Sequence, residues 1–240
     1  MADFRTHMLT SSAVGVVYGI AGYQLGMSEQ TCLIAGGLCS VSGMLPDLDS
    51  SSGRPLREAT TLAAAIVPML MVDRFQRLNM SHESMVLVAA LVYLGIRFGV
   101  AEIFRRYTVH RGMWHSIPAA IIVGMIAFLV ISSAEMNVRI FKTCAVVLGF
   151  LSHLLLDEIW SVEFRRGQFQ YKSSFGTALK LWGNDGVANT LTYLKLTALA
   201  FLVYQDHGFM AKFGPTDQVS QQTASQFLQI LIERGQEWLR

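Results

Sequence analysis

Seven side chains in this 240-residue chain have the types and spacing of metal ligands. His153 and Asp157 stand one helical turn apart in "FLSHLLLDEIW", with leucines between them. An ionised carboxylate in such apolar surroundings is costly unless it is paired or coordinated. His110 and His115 bracket "RGMW", a turn short enough to aim both rings at one point. Asp47 and Asp49 follow Pro46, and the Ser50–Gly53 stretch lets the chain turn. His7 lies close to the N-terminus. Neutral imidazole and carboxylate together suit Zn²⁺, with Mn²⁺ or Fe²⁺ as alternatives, and carboxylates could bridge more than one ion. Each piece also has a plainer reading. "PDLD" can be helix-stop chemistry, "HRGMWHS" an interfacial loop with a tryptophan anchor, and His7 a surface histidine. A calcium loop over Asp47–Glu58 fails, because Ser52 stands where glycine is required and Pro55 intrudes.

The elements that must position these residues are apolar. The chain is 52% hydrophobic and 15% charged, with mean hydropathy +0.40; soluble domains carry about 25% charged residues. Seven apolar runs (Ser11–Gly26, Gln30–Leu45, Ala59–Val72, Ser84–Phe104, Ile117–Ala134, Phe141–Leu156 and Thr190–Tyr204) leave too little polar sequence to coat a soluble globule. Several approach the ~17–25 residues of a spanning helix. They predict an all-α polytopic bundle of six or seven spans in the lipid bilayer, over residues 1–205. Residues 206–240 read as a tail in which Phe227, Leu228, Ile230, Leu231 and Leu239 have amphipathic helical spacing. Cys32, Cys39 and Cys144 lie within apolar runs without a CxxC pair, so no disulfide is expected. The N-terminus shows no obvious cleavage site, and the first helix is expected to be retained. The net charge of +2 is spread among loops and gives no reason to expect nucleic acid.

Basic residues in short loops favour the cytoplasm. With sides alternating at each span, Arg5, Arg54, Arg57, Arg105, Arg106, Arg111, Arg165, Arg166, Lys172 and Lys180 share one side. Arg74, Arg77, Arg139 and Lys142 fall on the other. The richer side is expected to be cytoplasmic, and His7, "LPDLD", "HRGMWHS" and the end of "LSHLLLD" all reach it. His82 and His207 lie on the opposite side and are expected to be solvent-exposed.

An early His, then "GMLPDLD", "HRGMWHS" and "LSHLLLD" in order resemble the YdjM-like family of membrane-bound metal-dependent hydrolases, over roughly residues 1–160. The resemblance implies an inner-membrane hydrolase. Its presumed metal site maps onto His7, Asp47, Asp49, His110, His115, His153 and Asp157, and its loop arginine onto Arg111. The ligand order is also similar to that of zinc-dependent phospholipase C. After Asp157 the chain departs from the family pattern, with aromatic and basic residues interleaved through "EIWSVEFRRGQFQYKSSFG". Hydrolysis is the reaction most compatible with such ligands. Asp49 is the candidate bridging ligand or water-orienting base. Arg111 offers a planar fork for a phosphoryl oxygen, which favours a phosphorylated amphiphile entering from the leaflet. A metal-ion or proton-coupled transporter is the alternative, and a non-catalytic scaffold a third. Transporters place ionisable groups near the midplane, whereas these sit at span ends, Arg97 excepted.

Overall fold

The computed structural model describes residues 3–49, 54–100, 102, 112–165, 168–172 and 176–214. Helix α1 (Phe4–Gln24) starts at Asp3, whose side chain accepts from Thr6 N at 2.9 Å. It ends where Gly26 takes φ +86°, with Gly26 N donating to Tyr23 O and Met27 N to Gly22 O. Those paired bonds close a helix with a left-handed residue, for which glycine carries no Cβ penalty. Ser28 then caps α2 (Glu29–Ser42), which leads into a 3-10 turn, Pro46–Asp49. Next come α3 (Arg54–Leu70), α4 (Val72–Arg77) and α5 (His82–Leu94), the last continuing as a π-helical turn, Gly95–Val100. Ser116 caps α6 (Ile117–Val130), followed by α7 (Met136–Trp160). A two-stranded antiparallel hairpin, β1 (Val162–Arg165) and β2 (Gln168–Tyr171), pairs Val162 with Tyr171. Helix α8 (Gly186–Tyr204) completes the larger compact unit, which ends at Val203. A separate unit begins at Tyr204 and contains α9 (His207–Phe213). The amphipathic spacing at 227–239 lies outside the described residues.

The regular structure among the described residues is thus helical but for one strand pair. Among the described residues, three segments are long and apolar enough to cross a bilayer: His82–Val100, Met136–Trp160 and Gly186–Tyr204. Helix α5 and its π-helical turn bury no residue, and α8 buries only Thr192. Leu87, Leu91, Phe98, Leu194 and Phe201 are all exposed. Apolar surface of this extent is what lipid covers. Arg97 sits in the π-helical turn, its guanidinium 5.6 Å from the Phe98 ring centre. Arg139, read from sequence as a loop residue, is instead buried in α7, donating to Phe128 O at 2.8 Å and lying over the Phe128 ring.

The interior is built on small residues. Helix α1 buries His7, Ser11, Gly15 and Gly19 at four-residue intervals. Helix α7 buries Ala145, Gly149, His153 and Asp157 at the same interval. Side chains four apart share a helix face, so each stripe of small residues runs directly into site residues. A Cβ on Gly15 would lie 2.5 Å from Gly36 O of α2, and one on Gly149 would collide with Cys39 O and Ser42 Oγ. Backbones approach this closely only without side chains between them. Hydroxyls add bonds across the seam: Ser11 Oγ to Ser40 O at 3.1 Å, and Tyr18 OH to Phe141 O at 3.0 Å. On its other flank α7 meets α6 through Val123, Val146, Phe150 and Leu154.

Gly149→Ala is expected to destabilise the fold by about 1–3 kcal/mol through overpacking. Gly37→Ala, on the exposed face of α2 with open space around it, is expected to be neutral or stabilising by up to about 1 kcal/mol. Thermal unfolding of the two variants in mild detergent checks the contrast.

Candidate metal centre

Four segments deliver five of the expected residues to one place. Asp3 starts α1 so that His7 falls in its second turn. Helix α2 stops at Gly43, and the buried Pro46 turns the chain so that Asp47 points back. The turn at residues 112–116 carries His115, held by His115 N to Gly112 O at 3.2 Å and Ser116 Oγ to Met113 O at 2.6 Å. Trp114 in that turn donates its indole N–H to Leu45 O at 2.8 Å and meets Phe150 edge-on. The tryptophan is therefore a strut between the two loops, not merely an interfacial anchor. Helix α7 supplies His153 and Asp157.

His7, His115, His153 and Asp157 are almost wholly buried, and the Asp47 side chain is 15% exposed. His153 Nε2 lies 3.6 Å from Asp47 Oδ1 and 3.8 Å from Asp157 Oδ2. His7 Nε2 lies 3.3 Å from Asp157 Oδ1, and His115 Nε2 lies 3.8 Å from Asp47 Oδ1. The His7 ring stacks on His153 at 3.6 Å, and the His115 ring meets it at 65°. His153 Nδ1 is 2.7 Å from Gly43 O. A carbonyl only accepts, so Nδ1 carries the proton and Nε2 directs its lone pair at the two carboxylates.

At His153 an acceptor therefore faces two carboxylates. His153 Nε2, His7 Nδ1 and Asp157 Oδ1 are buried without a hydrogen-bond partner. A charged N–H donating to a carboxylate would draw in to about 2.7–2.9 Å, well inside the spacings found. Ligands bound at about 2.0–2.1 Å around a tetrahedral ion stand roughly 3.3 Å apart by simple geometry. The residues present therefore fit a divalent cation. Among the described residues, two groups bring one ligand atom each within 4.8 Å of one another, His7–Asp47–His153 and His115–His153–Asp157. Both include His153, which has only Nε2 to offer, so they describe one ion's choice of ligands and not two independent sites. Burial pushes the Asp47 carboxyl up, but its interactions with His115, His153 and His7 outweigh this and hold it below the usual carboxylate range.

The family model of the YdjM inner membrane protein matches residues 1–169, a span that contains every one of these groups. The chain belongs to the YdjM inner membrane protein family. No curated protein and no solved structure matches it significantly.

In this YdjM-family chain the backbone of Asp49 ends the same 3-10 turn as Asp47, while its side chain, His110 and Arg111 lie outside the described residues. His82 and His207 are exposed as expected, but each is the first residue of a helix, α5 and α9, and not part of a loop. Sequence reasoning passes over Gly43, Trp114 and the small-residue stripes. The signal for the stripes is there: stepping by four from His7 gives Ser, Gly, Gly, and stepping back by four from His153 gives Gly and Ala. Gly43 gives no such signal, because its part is played by a carbonyl that every residue possesses.

Trp114→Phe preserves the ring packed on Phe150 but removes the donor to Leu45 O. The expected cost is about 0.5–1.5 kcal/mol, read as a lower thermal midpoint; an unchanged midpoint would show that the strut does not hold the two loops together.

Proposed function

We propose that this protein is a membrane-embedded, metal-dependent hydrolase of phosphoester substrates, with its His/Asp centre at the cytoplasmic face of a six- or seven-span bundle. The observation that carries the reading is His153 Nε2, a buried acceptor without a hydrogen-bond partner that faces the Asp47 and Asp157 carboxylates at 3.6 and 3.8 Å, with His7 Nε2 3.3 Å from Asp157. The sidedness rests on the distribution of basic residues between loops. Among possible ions the mixed imidazole–carboxylate set favours Zn²⁺, with Mn²⁺ and Fe²⁺ as alternatives. A divalent ion in such a site supplies Lewis acidity and a source of hydroxide at neutral pH.

The chain's own residues do the rest. Gly43 O fixes the tautomer and ring orientation of His153, the outer-shell support that metal-ligating histidines ordinarily have. His7, His115 and Asp157 are sealed from water, whereas Asp47 keeps a partly open edge, which makes its side the approach for water and substrate. Asp49, two residues on, is assigned to orient the attacking water, and Arg111 to hold a phosphoryl oxygen in its planar fork. This chemistry needs no HExxH, GxSxG or Walker motif, none of which the sequence contains.

Full-length protein in nanodiscs, loaded in turn with Zn²⁺ and Mn²⁺, is to be assayed against a panel of phosphomonoesters and phosphodiesters. We expect hydrolysis that a chelator abolishes and the metal restores, reduced at least roughly 100-fold in Asp157→Asn. Hydrolysis indifferent to chelator and to Asp157→Asn, or none with either ion, would contradict the reading. Metal affinity should fall as the pH is lowered, because protonated imidazole cannot ligate. A metal titration at successive pH values, following bound ion, checks that sign.

A further inference from the structure

Between α2, α3, α6 and the π-helical end of α5 lies a cavity of about 310 Å³, within the ~300–1,000 Å³ range of ligand pockets. Its lining is apolar. The polar groups among its described lining residues are committed elsewhere: Ser42 Oγ donates to Cys39 O, Thr60 Oγ1 to Leu56 O, and Trp114 Nε1 to Leu45 O. A hydrophilic ligand would find no partner there.

Three lining residues tie the cavity to the His/Asp cluster through the backbone. Ser42 precedes Gly43, whose carbonyl fixes His153; Leu48 follows Asp47; Trp114 precedes His115. The cavity and the cluster therefore share a wall. On the other side Ile96 and Val100 belong to the π-helical turn of a segment that buries nothing and is apolar enough to span the bilayer. That wall is a single helix, and its Leu94 and Phe98 are exposed.

We infer that this cavity seats the hydrocarbon chain of a lipid whose phosphoryl head reaches the His/Asp centre. The substrate class is then a lipid phosphoester, not a soluble one. An alkyl chain moving in from the leaflet exchanges one apolar surrounding for another, so it packs on this lining with little desolvation cost. The assignment of the head rests on the hydrolase reading; that of the chain rests on the cavity alone.

The test uses full-length, metal-loaded protein with Trp160, Trp182 and Trp238 changed to Phe, leaving Trp114 as the reporter, in nanodiscs of unbrominated phosphatidylcholine. Terminally brominated dodecyl phosphate is titrated in, since bromine quenches an indole it touches. We expect saturable quenching, with half-saturation weakened roughly tenfold or more by Ala63→Phe and, independently, by Ala127→Phe. Thermal midpoints identify any variant that has failed to fold, and the other then decides. Quenching that rises without saturation and ignores both substitutions would overturn the inference. Saturable, blockable quenching without phosphoester hydrolysis would uphold the chain subsite and withdraw the hydrolase reading. Hydrolysis of tail-less phosphoesters as efficient as that of alkyl ones, without saturable quenching, would do the reverse.

Discussion

The bond from His153 Nδ1 to the Gly43 carbonyl, at 2.7 Å, is where three helices meet. Gly43 closes α2, lies so near α1 that a Cβ would collide with Ser11, and receives the proton of a histidine on α7. Moving any of the three helices outward by the width of a methyl group would break the bond or open the seam. With it in place, His153 Nε2 can point only inward, towards Asp47 and Asp157. The glycine pairs of the seam therefore matter to the site as much as its ligands do. Gly15 against Gly36 and Gly149 against Cys39 set the helix separations, and the site inherits them.

A bilayer offers helices little hydrophobic reason to associate, because lipid tails are as apolar as leucine. Close packing and interhelical hydrogen bonds must carry the assembly instead. That explains the division of labour in this chain. Helices α1, α2 and α7 carry the small residues and the cross-helix hydroxyls, and they build the centre. Helices α5 and α8 are apolar with almost nothing buried, and they make no part of it. Polar side chains are tolerated in the interior only where they converge. Two carboxylates and three imidazoles in one mostly buried cluster bring a charge demand that a single divalent cation meets.

Much of this is legible in the amino-acid sequence. The i, i+4 spacing of His153 and Asp157 puts them on one buried face, where the fold brings His7, Asp47 and His115 to join them. The helical class follows from the apolar runs. Counting those runs is a poorer guide to spans, because hydropathy alone does not separate a helix facing lipid from one facing other helices. Ile117–Val130 is intensely apolar, yet it is only 14 residues long and largely buried against α7. The stretch "EIWSVEFRRGQFQYKSSFG" shows only interleaved aromatic and basic residues in the sequence, and within it Val162–Arg165 and Gln168–Tyr171 pair as strands. Alternation over strands of four residues is too brief to announce itself. Arg139 is misplaced by sequence reasoning because a single charge between two apolar runs reads as a loop, whereas its guanidinium is satisfied by the Phe128 carbonyl and ring.

Whether the buried His/Asp cluster holds a divalent cation decides the rest. Elemental analysis of metal per chain tests that most directly, on protein purified in mild detergent without chelator, with a His153→Ala/Asp157→Ala variant beside it. We predict close to one equivalent of a transition metal in the parent protein and its loss in the variant, with the variant still folded by its helical signal. No metal in either protein after reconstitution with Zn²⁺ and Mn²⁺, or equal metal in both, would contradict the account and return His153 and Asp157 to a purely structural role.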